Sequence, residues 1–315
     1  MIVNRRFLAG IVVTGGCAAL ALLAWALYSN SFSSPPAAKP AAVKVSSVTP
    51  VPDELDQVLK VIAQGGTALE LGTAISTLDT LTRTGKGLTD KRQAELLAAL
   101  ERGMPEGMPN GSWSHLFNSA CNALATARAV ADEGLLGLLE RTALDDERLV
   151  MRLFALQHLS FNYDAAPAAS QQRMRTLVQR LLADPSSDTA GTALVVWRRW
   201  EKSAAPGDIS FLELSRGIAA DSGRPVDVRV TALHAIGDDP GVLELARTLA
   251  PDRKQPAILR KAALNLIGRH GGAGDLAILR QCTRENPRLA QAGAPAARAL
   301  ESRLAGIQKP NLRPY

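Results

Sequence analysis

An all-α fold, arranged as an α-solenoid of stacked helix pairs behind one N-terminal transmembrane or signal helix, is what this sequence predicts. Three observations carry the expectation. The 315 residues are 46% apolar but only 4% aromatic, and rich in Ala and Leu, which suits helices packed closely through small side chains. Long runs of Val, Ile, Thr and Tyr that would mark a sheet do not occur. Residues 226–245 (VDVRVTALHAIGDDPGVLEL) also repeat in 257–279 (AILRKAALNLIGRHGGAGDLAIL) at an offset of 31. Arg229 falls on Arg260, Ala232-Leu233 on Ala263-Leu264, and Ile236-Gly237 on Ile267-Gly268.

Each repeat reads as two helices. Val228, Ala232, Leu233 and Ile236 form one apolar stripe, Gly237 follows as a helix-stopping glycine, and Val242, Leu245, Ala246 and Leu249 begin the next stripe. Such a pair cannot bury its apolar face alone, so the units stack. Looser Ala-Leu echoes at Ala123, Ala155 (with Arg152), Ala193 and Ala299 give spacings of 31 to 39 residues.

The D-V-R, A-L and I-G residues at this spacing resemble the HEAT-like repeats of the phycobilisome-lyase type, well over about 226–280, and more loosely upstream. The resemblance implies right-handed stacks of antiparallel helix pairs that offer a concave surface to partners. It implies structural roles for Asp227 and Arg229, the arginine bracing adjacent units; the family name does not by itself imply lyase activity. The second unit lacks the aspartate, which puts the polar ladder between units in doubt there.

The N-terminal 52 residues stand apart. MIVNRR is basic, and residues 7–28 carry no charge over 22 positions, enough to cross a bilayer. A membrane anchor, a cleaved signal with Ala24-Trp25-Ala26 as its site, and a lipoprotein signal at Cys17 all fit, and Arg5-Arg6 loosely resembles a twin-arginine signal. Each places the remainder outside the cytoplasm: periplasmic behind a single-pass inner-membrane anchor, or secreted after cleavage. Residues 29–52 hold five prolines and no acid, a tether reaching roughly 70 Å when extended. The expected organisation is an anchor or signal at 1–28, the tether at 29–52, a helical cap at 53–103, repeats at 113–306 and a tail at 307–315. Helices are expected at 53–62, 67–81, 89–101, 116–131, 134–143, 148–161, 171–182, 189–202 and 210–220, with a Pro/Gly loop at 103–112.

The net charge of +6 comes from the ends: residues 53–268 hold 24 basic and 27 acidic residues, while 269–315 hold eight and three. That C-terminal excess suits a solvated helix face, an anionic partner or phospholipid headgroups. An exported domain of modest charge does not point to nucleic acid.

Chemical motifs are sparse. The four histidines have no metal-ligand spacing, and no zinc-protease, serine-hydrolase, C-x-x-C or complete P-loop pattern occurs. Cys121 and Cys282 read as buried thiols. The run Gly272-Ala273-Gly274-Asp275-Leu276-Ala277 matches G-x-G-x-x-A, but a dinucleotide site needs a strand before it, and the preceding residues align with a helical stripe. No nucleotide and no cofactor are expected.

Trp197-Arg198-Arg199-Trp200 is the one unusual local feature. Exposed, it offers an aromatic and cationic interaction surface; otherwise its tryptophans are core. The expected function is a non-catalytic, membrane-tethered envelope scaffold for a protein partner. The alternative is an envelope receptor or enzyme for an anionic glycan or lipid, built on that patch.

Overall fold

The computed structural model describes residues 52–84, 88–127, 131–201, 210–237, 239 and 241–306. The expected anchor, the tether through residue 51 and the 307–315 tail lie outside them. Among the described residues there are fourteen α-helices, two short 3-10 turns and no strand. The chain divides into two compact units, Met1–Gln171 and Gln172–Tyr315.

The first unit contains α1 (Pro52–Gln64), α2 (Ala68–Thr84), α3 (Asp90–Glu101), α4 (Asn110–Thr126), α5 (Glu133–Asp145), α6 (Leu149–Asn162) and the start of α7 (Ala168–Ala183). Helix α1 packs on α2 and α3, α2 on α4, α4 on α3 and α6, and α5 on α3 and α6. Thr89 caps α3 by accepting the Arg92 N–H, and Gly103 follows its C-cap with φ 82°, a left-handed conformation that glycine adopts without strain. Helix α4 begins six residues before the expected start, at Asn110 rather than 116. Pro109 occupies its N-cap, Ser114 Oγ bonds the Asn110 carbonyl, and Trp113, 1% exposed, is buried in the first turn. Burying that indole outweighs the weak helix propensity of Asn-Gly-Ser. Trp113 and Phe117 pack with ring centroids 6.4 Å apart.

The second unit holds the rest of α7, then α8 (Ala190–Trp200), α9 (Phe211–Ala220), α10 (Val226–Ala235), α11 (Val242–Leu249), α12 (Ala257–His270), α13 (Leu276–Glu285) and α14 (Pro287–Leu304). Helices pair as α9 with α10, α11 with α12 and α13 with α14; α10 also packs on α8 and α12, and α12 on α14. The last turns of these second helices meet at one edge. Arg198 Nη1 of α8 donates to the Ala235 carbonyl ending α10 at 2.7 Å. His270 at the end of α12 meets the carbonyl of Gly237, just past α10, and Arg303 near the end of α14 donates to that of Gly271, just past α12. Thus α8, α10, α12 and α14 run side by side in one direction. Arg198 and Arg303 thus bring positive charge to carbonyls at or just past helix C-termini, which also suits the helix dipole.

One kind of turn recurs between consecutive helices. Asp146, Asp184, Asp221, Asp252 and Asn286 each accept, through Oδ1, the N–H two residues on, every time at 2.9 Å. These Asx turns redirect the chain from one helix to the next.

Candidate functional site

The two tryptophans of the candidate surface point inward: Trp197 is 4% exposed and Trp200 2%. Val196, Trp197 and Trp200 share the buried face of α8, and the guanidinium of Arg175, itself buried on α7, lies 4.9 Å from the Trp197 ring centroid. The physical reason is area: an indole gains more by burial among apolar neighbours than by standing in water. Arg198 and Arg199 remain exposed. Arg198 is turned to structural use, bonding Ala235 and lying 5.4 Å from the Phe211 ring centroid. Trp197, Arg198, Arg199 and Trp200 therefore form no aromatic surface, and the receptor alternative loses the patch on which it was built.

The repeat residues divide differently from expectation. Arg229, 3% exposed, donates Nε to the Ala219 carbonyl at 3.0 Å; Arg260, 5% exposed, does the same to Ala250 at 2.8 Å. Arg152 donates Nη1 to the Asp146 carbonyl at 2.8 Å. Each is the fourth residue of its helix and holds the C-terminal end of the helix before it. The arginine thus braces the two helices of one pair, and Arg260 also reaches Cys282 on the next pair. Asp227 is exposed in the first turn of α10, where a carboxylate suits the helix N-terminus, and the aspartate that shapes the repeat is Asp221, matched 31 residues on by Asp252. The second repeat does lack an aspartate at the Asp227 position, where Ile258 stands, but it carries Asp252 eight residues before its arginine, as the first carries Asp221.

A polar ladder does connect successive pairs, through residues the sequence reading passed over. Arg216 of α9 meets Asp239, beyond α10, at 2.5 Å. Thirty-one residues on, Arg247 of α11 grips Asp275, beyond α12, with Nε at 2.7 Å and Nη2 at 2.9 Å. Asp275 is 3% exposed, also accepts the Gly272 N–H, and its carboxyl is held below the usual range first by the Arg247 hydrogen bond. The G-x-G-x-x-A run is thus a turn between two helices, with Asp275 pinned inside it.

Gly237 and Gly268 serve close approach. Gly237 lies past the end of α10 as expected, but without the left-handed backbone of a glycine stop. A Cβ there would stand 3.3 Å from the Leu266 side chain. Gly268 does not stop its helix, which continues to His270; a Cβ there would stand 2.8 Å from Ala296 Cβ and 2.9 Å from its Cα.

Among the histidines, His158 is buried between α4 and α6. Its Nε2 meets Asn118 Oδ1 at 3.0 Å, its Nδ1 has no partner, and burial pushes its pKa down to about 4. His234 is lowered too, by desolvation and then by the field of Arg269 on the neighbouring helix. Cys121 and Cys282 are buried thiols pushed up by burial.

In the first unit an open groove of about 540 Å³ runs along α2 past Glu54, Leu69, Gly72, Thr73, Ser76 and Thr80. The Thr73 and Thr80 hydroxyls turn back to carbonyls four residues earlier, leaving methyl groups outward. Among the described residues no three His, Cys, Asp or Glu side chains are grouped to hold a metal, and no helix is long and apolar enough to cross a membrane. A comparison with models of known protein families gives no match to this sequence. A comparison with curated proteins gives none either.

Proposed function

We propose that the chain is a non-catalytic, membrane-tethered scaffold of the cell envelope: a HEAT-like α-solenoid held off the inner membrane by residues 29–52 and anchored through residues 7–28. The observation that carries the reading is the repeated register of the helix pairs. The same Asx turn, the same fourth-position arginine and the same inter-pair ladder recur in the α9–α10 and α11–α12 pairs. A stack built from one reused unit presents rows of solvent-facing side chains on successive helices, a surface suited to a protein partner. The run of 22 uncharged residues behind a basic start supports the tethering, with the folded part outside the cytoplasm.

In-cell crosslinking of a C-terminally tagged chain, followed by purification from membranes and mass spectrometry, tests this. The reading expects a dominant protein partner and membrane attachment that depends on residues 7–28. Recovery of the chain alone at high crosslinking efficiency would overturn it.

A further inference from the structure

The four parallel helices of the second unit share a solvent face whose charge is one-sided. Its stripes run Thr192-Val195-Arg199 on α8, Asp227-Val230-His234 on α10, Ile258-Lys261-Asn265-Arg269 on α12 and Arg288-Gln291-Pro295-Arg298 on α14; none of these residues is buried. The rows are in register across neighbours. Lys261 Nζ donates to Gln291 Oε1 at 3.2 Å between α12 and α14, and the field of Arg269 on α12 reaches His234 on α10. Among the described residues of these stripes, Arg199, Lys261, Arg269, Arg288 and Arg298 stand against one acid, Asp227.

We propose that this face receives an acidic segment of a partner protein, with Lys261, Arg269 and Arg298 as its central contacts. The inference rests on the scaffold reading and names the chemistry of its partner. Four of the five cations are arginines, whose planar forks match carboxylates two bonds at a time. An anionic membrane is the less suited occupant. Peripheral membrane surfaces set amphipathic aromatic or long apolar side chains beside their cations, whereas Trp197 and Trp200 are buried and Ile258 is the one large exposed apolar residue of the stripes. Between the cations stand Val195, Val230, Asn265 and Gln291, short or neutral groups beside the exposed Arg269, Arg288 and Arg298.

The test uses the purified full chain and an oligoglutamate peptide, with phosphatidylglycerol vesicles as the competing probe. The peptide is expected to bind at low ionic strength, to weaken steeply with salt, and to raise the His234 pKa by NMR titration as carboxylates offset the field of Arg269. Lys261→Glu with Arg269→Glu should weaken peptide binding about tenfold or more, with helical content kept by circular dichroism. If that variant unfolds, Arg298→Glu alone should weaken binding in the same direction. The proposal is overturned by no peptide binding at low salt, by binding that charge reversal leaves unchanged, or by vesicles binding where the peptide does not. A crosslinked partner retained by the charge-reversal variant leaves the scaffold standing and removes this face from it. Peptide binding without any crosslinked partner in cells does the opposite.

Discussion

Arg229 and Arg260 stand 31 residues apart and make one bond twice: each donates Nε to the carbonyl ten residues before it, Ala219 and Ala250. Their outer nitrogens differ. Arg260 Nη2 reaches Cys282 Sγ at 4.0 Å, whereas Arg229 Nη2 is buried without a partner, and desolvation lowers the Arg229 pKa. An unmet donor already weakens the native state, so removing it returns part of what the lost bond takes away. Arg260→Met is therefore expected to destabilise by about 2–3 kcal/mol and Arg229→Met by about half as much. Urea unfolding of the two variants checks this; equal losses would mean that the second nitrogen contributes nothing.

Gly268 and Gly72 make a matched pair. A Cβ at Gly268 collides with the backbone of Ala296, which a helix cannot yield without moving α12 away from α14. Gly268→Ala should destabilise by about 1–3 kcal/mol. A Cβ at Gly72, on the solvent face of α2, meets nothing within 4 Å. Gly72→Ala should stabilise by about 1 kcal/mol through helix propensity alone. Thermal melts give both signs directly, and a Gly268→Ala protein as stable as the parent would contradict the close packing of those two helices.

How far these features could be read in advance depends on whether they are periodic. The helices and the 31-residue register of Arg229 with Arg260 were legible, because apolar spacing and an aligned cation survive in one dimension. Asp221 and Asp252 sit at the same offset, as do Pro225, Pro256 and Pro287. They were passed over in favour of Asp227, which is adjacent to Arg229 in sequence but lies on the wet side of α10. The Asx turn depends on where the backbone goes after a helix ends, which periodicity does not encode. Trp197 and Trp200 show the remaining gap. Spacing places them on one face of a helix, but only the neighbours, Arg175 among them, decide that the face is buried. Gly268 is similar: its partner Ala296 lies 28 residues away on another helix, and nothing local marks the approach.

The Arg247–Asp275 grip should reveal itself on acidification. The Asp275 carboxyl titrates below its unfolded value, so its contribution is complete above about pH 4, the unfolded aspartate range, and is lost as pH falls through the folded pKa. Asp275→Asn keeps an oxygen for the Gly272 N–H but gives up the charge-assisted pair with Arg247. The variant should be less stable than the parent at neutral pH by about 1–3 kcal/mol, with the gap closing at strongly acidic pH. A gap independent of pH would assign the loss to packing instead.

His158 acts in a different window. Its folded pKa of about 4 lies below the ordinary value near 6.5, because the charged ring would sit buried between α4 and α6 with Nδ1 unpaired. Between those two values the unfolded chain takes up a proton that the native state refuses, so stability falls as pH drops from about 6.5 to 4 and then levels off for this group. The shift corresponds to a loss of about 3 kcal/mol across the window. His158→Gln, which retains a polar group for Asn118 without a titrating ring, should flatten stability over that range while lowering it at pH 7. Equilibrium unfolding of parent and variant, followed from pH 7 to pH 4, separates this from the carboxylates, whose lowered pKa values place their losses mainly below about pH 4.5. Parallel curves for the two proteins would show that His158 is not the group responsible.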